Sequence, residues 1–210
     1  HKEDELERAA KDLSITKEDL TKRITDLVEH NPMLGLRGVR LGIKYPEISE
    51  TYIRAIFEAA AELVEEGKNP YPKIMVPLVS ELNELKDQLA ITQIIYQQVL
   101  DKHNLKKINY IYGTMIETPA ACLVADELAG AADFFSYGTN DLTQMGFGFS
   151  RDDSSKFLPD YIKDGILHTD PFRTIDEKRI RRLMEIGIKL GRTTRKDLEV
   201  GICGEHGGDP

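Results

Sequence analysis

Cysteine is scarce in this sequence. Cys122 and Cys203 are 81 positions apart, which makes neither a disulfide framework nor a zinc pattern and points to a reducing compartment, the cytosol by default. Long apolar runs are missing as well. None approaches the roughly 18 residues that a bilayer span needs, and the opening HKEDELERAAKDL is too charged for a signal peptide. No basic stripe interrupts a net charge of −8, so the phosphate-neutralising surface of a nucleic-acid binder is absent and an anionic membrane would repel the chain. Neither G-x-x-x-x-G-K-[ST] nor G-x-G-x-x-G occurs, which excludes the two common nucleotide loops. Repeats, low-complexity tracts and Pro/Gly/Ser linkers are also lacking, so nothing marks a second domain.

What is present suits a globular protein. The 210 residues are 40% hydrophobic and 30% charged, enough to bury a core. A start at His1 without an initiator Met leads to the expectation of a processed or truncated product. Residues 3 to 30 read as two helices broken at SIT, the second capped by Thr16 with Asp19 three residues on, and with Leu20, Ile24, Leu27 and Val28 on one face. The glycine-punctuated NPMLGLRGVRLGIKYP predicts a loop with a short extended piece from Val39 to Ile43. A helix follows from Pro46 to near Gly67, with Ile56, Ala59, Ala60 and Leu63 inward. KIMVPLV reads as a buried strand, and Ser80 opens a helix running to about His103 with Leu85, Leu89, Ile95 and Val99 inside. INYIYGTMIE is a strand, Thr118 and Pro119 begin a helix to near Gly130, and DFFSYG is a strand. A long polar loop is expected from Thr139 to about Phe172, then a helix to Arg192 with a Thr174/Glu177 capping box, then the strand EVGIC.

Helices thus alternate with about five short strands, apolar on both faces, the pattern of an α/β fold with parallel strands covered by helices. In such folds chemistry gathers where strands end and helices begin. Glu117 ends TMIE, Asn140 and Asp141 follow FFSYGT, and Cys203 ends VGIC. Two carboxylates at neighbouring strand ends suit Mg²⁺, which takes one or two carboxylates and completes its octahedron with water and substrate oxygens. Either acid alone reads equally as a helix cap. Arg37 and Arg40 lie among Gly35, Gly38 and Gly42, where a guanidinium fork could meet a carboxylate or phosphate; a surface ion pair is as good a reading for Arg40 and for Arg151. Gly138, Thr139, Asn140 and Asp141 form either a turn or a polar cradle. Cys122, inside PAACLVADELAG, reads as packing. Cys203, between Gly201 and Gly204, could serve as a neutral acid toward carbon, since an ordinary thiol with a pKa near ~8.5 keeps its proton at neutral pH. His206 reads as a loop residue bonded to its own turn.

NPMLGLRGVRLGI, KIMVPLV, GTMIETP, FFSYGTNDLTQMGFGFSRDD and GICGEHGGDP together resemble the carboxyl-terminal barrel of the phosphoenolpyruvate (PEP)-utilising enzymes. Within that family, FSRDDSSKFLPDYIKDGILHTDPF is most similar to the pyruvate phosphate dikinase branch. The resemblance implies an incomplete (β/α)8 TIM barrel over 1 to 210, with residues 1 to 30 a helical insertion and strands missing at both termini. It further implies that Arg37 holds the transferred phosphate, Glu117 and Asp141 hold Mg²⁺, Gly138, Thr139, Asn140 and Asp141 line PEP or pyruvate, and Cys203 protonates the enolate carbon. The whole enzyme would convert ATP, phosphate and pyruvate to AMP, diphosphate and PEP through a phosphohistidine on a separate domain. It would work as a homodimer, in the cytoplasm, a plastid or a glycosome. Neither the phosphohistidine motif nor the ATP-binding domain is in this chain, so the isolated chain is expected to be inactive in the full reaction and, with open strand edges, prone to aggregate. Two other readings stand beside this one: an Mg²⁺-dependent lyase acting on a pyruvate enolate, which needs no thiol acid, and a non-catalytic fragment.

Overall fold

The computed structural model describes residues 2–26 and 33–208. The chain divides into two compact units, His1–Leu36 and Arg37–Pro210. In the first, α1 (Lys2–Asp12) ends where Ser14 turns left-handed at φ 55°, and α2 (Lys17–Asp26) begins. Thr16 caps α2 as expected: its Oγ1 accepts from the Asp19 amide at 3.0 Å and donates to the Asp19 carboxylate at 2.8 Å. Leu27 and Val28, placed on the inner face of this helix by the sequence pattern, lie outside the described residues.

The second unit runs α3 (Val39–Lys44), α4 (Pro46–Glu65), β1 (Lys73–Val76), α5 (Leu82–Lys102), β2 (Ile111–Ile116), α6 (Pro119–Leu123), α7 (Ala125–Leu128), β3 (Phe134–Gly138), α8 (Thr139–Phe147), α9 (Leu158–Lys163), α10 (Ile180–Thr194) and β4 (Glu199–Cys203). The four strands are parallel and in chain order β1-β2-β3-β4. Every connection between them carries helix, as parallel pairing demands.

One sheet face is apolar and, over β1 to β3, covered. Ile74 and Val76, Tyr112 and Ile116, and Phe135 and Tyr137 are buried with Phe57 and Ala61 of α4, Leu85, Ile95 and Val99 of α5, Leu128 of α7 and Ile180 of α10. The opposite face carries Lys73 and Met75, Gly113 and Met115, Phe134 and Ser136, and Glu199 and Gly201; Met75, Gly113, Phe134 and Glu199 share one row, and Met115, Ser136 and Gly201 the next. On it, Lys73 of β1 ion-pairs with Glu199 of β4, and the Lys73 ammonium lies 5.8 Å from the Phe134 ring centre. These strands are the two edges of the sheet. Laid flat, they would stand about 14 Å apart at three strand spacings, so the sheet is curled toward this face. A parallel, sequentially ordered, curled sheet with helices outside is part of a (β/α)8 barrel.

Several expectations are corrected. Val39–Lys44 is helical rather than extended, which leaves four strands instead of five among the described residues. The alternation V-R-L-G-I mimics a strand, but the left-handed Gly38 (φ 56°) starts a helical turn whose first residue, Val39, is anchored by its amide to the Pro77 carbonyl at 3.0 Å. The inner face of α4 is Ile53, Phe57, Ala60 and Ala61, while Ile56 and Ala59 face out. α5 starts at Leu82, because Glu81 and Glu84 form its capping box. The helix after Pro119 breaks at Val124 into α6 and α7. The stretch after Thr139 is not a loop, since it forms α8, a 3-10 turn at Ser154–Lys156 and α9. α10 starts at Ile180 rather than Thr174, with the Arg179 amide donating to the Asp176 carboxylate at 2.6 Å. The helix-facing side of the strands is apolar, as expected, while the other side mixes Met75, Met115 and Phe134 with Lys73, Ser136 and Glu199.

Candidate functional site

Parallel strands deliver their carboxyl ends to one rim, and three of them deliver a candidate residue there. Gly138 pairs with Cys203 across β3 and β4, and Ile116 pairs with Tyr137 across β2 and β3, so Glu117 falls in the same row as Gly138. The row reads Glu117, Gly138, Cys203. Its middle position has to be glycine for lack of space: a Cβ there would stand 2.6 Å from Glu117 Oε2 and 2.7 Å from Met115 Sδ.

Arg37 reaches this rim from the loop before α3. Gly38 presses that loop onto the end of β1, where a Cβ would meet Leu78 Cβ at 2.8 Å and the Pro77 carbonyl at 2.9 Å. Its positive φ also favours glycine. The Arg37 guanidinium donates to Asp141 Oδ1 at 2.7 Å and, more weakly, to Oδ2 at 3.5 Å. Asp141 sits in the first turn of α8, where the helix dipole favours a negative charge. The hydrogen bond to Asp141 raises the proton affinity of Arg37 further, against an opposing effect of burial, so the guanidinium stays charged.

Glu117 is 2% exposed. Its Oε1 accepts the Leu78 amide at 2.7 Å, and Leu78, itself fully buried, holds a left-handed φ of 62°. Such a backbone is costly for a bulky residue and recurs at functional sites; here it points an N–H at the carboxylate. Burial first, and the negative charge of Asp141 second, push the Glu117 carboxyl up to about 7. Two carboxylates crowded into a dry site respond in this way, here against the opposing pull of the Leu78 amide and Arg37. Glu117 does not cap the following helix: Thr118 does, its Oγ1 accepting from Ala121 N at 3.1 Å.

A cavity of about 290 Å³ at this rim is lined by Arg37, Pro77, Met115, Glu117, Gly138, Asn140, Asp141, Cys203 and Gly204. Asn140 Oδ1 is buried there with no hydrogen-bond partner. Cys203 is half-buried, and its thiol donates to the Tyr137 carbonyl at 3.5 Å. Thr139 stands behind the lining, its hydroxyl donating to the Cys203 carbonyl at 3.1 Å. His206 is bonded not to its own turn but to Thr139 Oγ1 at 2.7 Å and the Pro171 carbonyl at 2.9 Å.

The other flagged residues lie elsewhere. Arg40 is on α3 and is not part of the lining. Arg151 ion-pairs with Glu205. Gly42 serves helix packing, since a Cβ would collide with Ser49 and Gln88. Cys122 is fully buried, with its thiol pushed up to about 12 by burial. A larger, mainly apolar groove of about 460 Å³ lies between α3, α4 and β1 and holds none of the candidate acids or thiols. Sequence reading missed Met115 and Leu78. The period-two step back from Glu117 would have found Met115; no local signal marks Leu78.

Residues 8–210 match the family described as PEP-utilising enzyme, PEP-binding domain. The chain is 51% identical over 195 residues to pyruvate, phosphate dikinase 2 of Oryza sativa subsp. japonica, covering 93% of this chain and 22% of the relative. It is 52% identical over 193 residues to pyruvate, phosphate dikinase 2 of Zea mays, covering 92% and 22%. To pyruvate, phosphate dikinase 1, chloroplastic, of Arabidopsis thaliana it is 49% identical over 201 residues, covering 96% and 21%. The chain therefore spans about a fifth of the length of these relatives. A match running along nearly the whole sequence puts the chain in the PEP-utilising enzyme family, as a PEP-binding domain of the pyruvate phosphate dikinase kind.

Proposed function

We propose that this chain is the PEP- and pyruvate-binding part of a pyruvate phosphate dikinase, in which a phosphoryl group passes between PEP and a histidine carried on a domain outside this sequence. One observation carries the reading: Arg37, Glu117, Asn140, Asp141 and Cys203 converge on a single cavity at the carboxyl ends of the strands. The donor set fits Mg²⁺. Two buried carboxylates close enough to raise the proton affinity of one, beside an unpartnered amide oxygen, form a hard-oxygen site in which the Arg37 charge is paired with Asp141, and Mg²⁺ is content with two protein carboxylates. Bound between Glu117 and Asp141, the ion would supply the positive charge that offsets an enolate.

The chain's own residues supply the rest. Arg37, a planar fork now occupied by Asp141, would turn toward phosphoryl oxygens and hold them bidentately. Gly138 keeps a side chain out of the middle of the row, so that a three-carbon acid would lie in the cavity beside Glu117 and Cys203. As the phosphoryl group leaves PEP for the histidine, an enolate remains; the Cys203 thiol would give its proton to the methylene carbon, producing the pyruvate methyl group and a thiolate. In the opposite direction the thiolate would take that proton back. The thiol points its hydrogen at the Tyr137 carbonyl, and a rotation about χ1 would turn it toward a ligand.

Calorimetry with oxalate, a planar dianion shaped like the enolate, tests the proposal. Binding is expected only with Mg²⁺ and is lost in Glu117→Ala and in Asp141→Ala; equal binding with and without the metal would defeat the metal assignment. In the full-length protein, Cys203→Ala is expected to abolish solvent exchange of the pyruvate methyl protons. Retained exchange would remove Cys203 from the mechanism and favour a lyase-type site.

A further inference from the structure

The residue that the proposed chemistry leaves unused is His206. It is 6% exposed, which is deep for an imidazole on a short 3-10 turn, and both ring nitrogens are engaged by other parts of the chain. Nε2 meets the Pro171 carbonyl at 2.9 Å, and Nδ1 meets Thr139 Oγ1 at 2.7 Å. Thr139 Oγ1 in turn meets the Cys203 carbonyl at 3.1 Å. A continuous chain of hydrogen bonds therefore runs from the segment before α10, through His206 and Thr139, to the main chain of the thiol residue. Gly204, at φ 92°, makes the approach possible: a Cβ there would stand 3.2 Å from both Thr139 Oγ1 and Asn140 Oδ1.

Counting hydrogens makes the link specific. A carbonyl only accepts, so Nε2 must carry a hydrogen for Pro171. Thr139 has one hydroxyl hydrogen. In the structure that hydrogen points to the Cys203 carbonyl, and the ring meets the same hydroxyl oxygen at 2.7 Å. The charged groups on the surrounding elements are Glu205 on the same turn, paired with Arg151, Asp141 on α8, paired with Arg37, and Asp170 beside Pro171, whose Oδ1 accepts from Phe172 N.

We infer that His206 is a positioning residue: acting through Thr139, it fixes the main chain of Cys203 and so the place from which the thiol meets a ligand. The importance of that place rests on the function proposed above, but the link itself does not. The competing account is a staple that merely pins the turn to Pro171.

Asparagine and glutamine separate the two accounts. An Asn amide occupies the position of Nδ1 and can serve Thr139, whereas a Gln amide occupies that of Nε2 and can serve Pro171. Cys203 is the reporter, because iodoacetamide labelling is blind to the buried Cys122. In the whole chain, His206→Gln is expected to speed Cys203 alkylation about two- to ten-fold, the equivalent of one lost hydrogen bond. His206→Asn is expected to stay near wild type. Thr139→Val, which cuts the link from its other side, should reproduce the Gln result even if a His206 variant folds poorly. Wild-type rates in both Gln and Val variants, or rescue by Gln but not Asn, would overturn the inference. Addition of Mg²⁺ and oxalate to the wild type tests the reading of the site separately: failure to protect Cys203 would sink that reading and leave the His206 link standing.

Discussion

Glu117→Gln should make the metal-free protein more stable while abolishing the proposed Mg²⁺ binding. The buried carboxyl has moved from an ordinary 4.5 to about 7, so in the folded state the ionised form is disfavoured. Between those two values the unfolded chain has released this proton and the folded chain still holds it, and stability falls as pH rises across that window. The total loss at pH 8 is about 3 kcal/mol for such a displacement. Gln carries no charge, keeps an oxygen for the Leu78 amide and adds an N–H that can donate to Asp141. Thermal unfolding by circular dichroism, in the presence of a chelator, is the assay. At pH 8 the variant should melt roughly 6 to 12 °C above wild type, taking about 2 to 4 °C per kcal/mol for a chain of this size; at pH 5 the two should nearly coincide. A variant no more stable than wild type at pH 8, or a gain of the same size at both pH values, would refute the argument that burial and Asp141 strain this carboxylate. Mg²⁺ should then raise the melting temperature of the wild type and leave that of the variant unchanged.

Gly138→Ala puts a methyl group 2.6 Å from the Glu117 carboxylate, and overpacking of this kind costs about 1 to 3 kcal/mol. Mg²⁺-dependent oxalate binding should weaken at least tenfold, as read by calorimetry, with the circular dichroism spectrum unchanged; wild-type affinity would show the row to be roomier than described. Arg37→Lys keeps the charge and loses the fork, so Asp141 and a phosphoryl group can no longer be held bidentately. Weaker binding of PEP than of oxalate in this variant is the expected signature. His103 bonds Glu58 and Glu65 at 2.7 Å each, which raises its pKa above the ordinary value. That contribution is complete below about pH 6.5 and is lost as pH rises through the higher folded value, so His103→Gln should flatten the alkaline decline of stability. An unchanged profile would count against a charged His103.

The same physics explains which features were legible in the sequence. Strand ends could be placed because apolar runs and the Thr118-Pro119 helix start are local, and with them came Glu117, Gly138, Asp141 and Cys203 as candidates. Local patterns misled where a neighbour decided the outcome. Val39–Lys44 looks extended until Gly38 is docked on Pro77, and the polar stretch after Thr139 becomes α8 because Leu142 packs into the core under it. The face of α4 was misjudged because its apolar residues cover more than one stripe, and only the position of the sheet selects Ile53, Phe57, Ala60 and Ala61.

By itself, then, the sequence determined the parallel α/β class, the order of the strands β1 to β4 and the candidate side chains for chemistry, since each of these follows from short-range periodicity or residue type. Tertiary structure alone decided the geometry: the register that sets Glu117, Gly138 and Cys203 in one row, the left-handed Leu78 amide on Glu117, and the His206–Thr139–Cys203 link. Register and long-range hydrogen bonds relate residues tens of positions apart, and no local pattern encodes such a relation until the strands have paired.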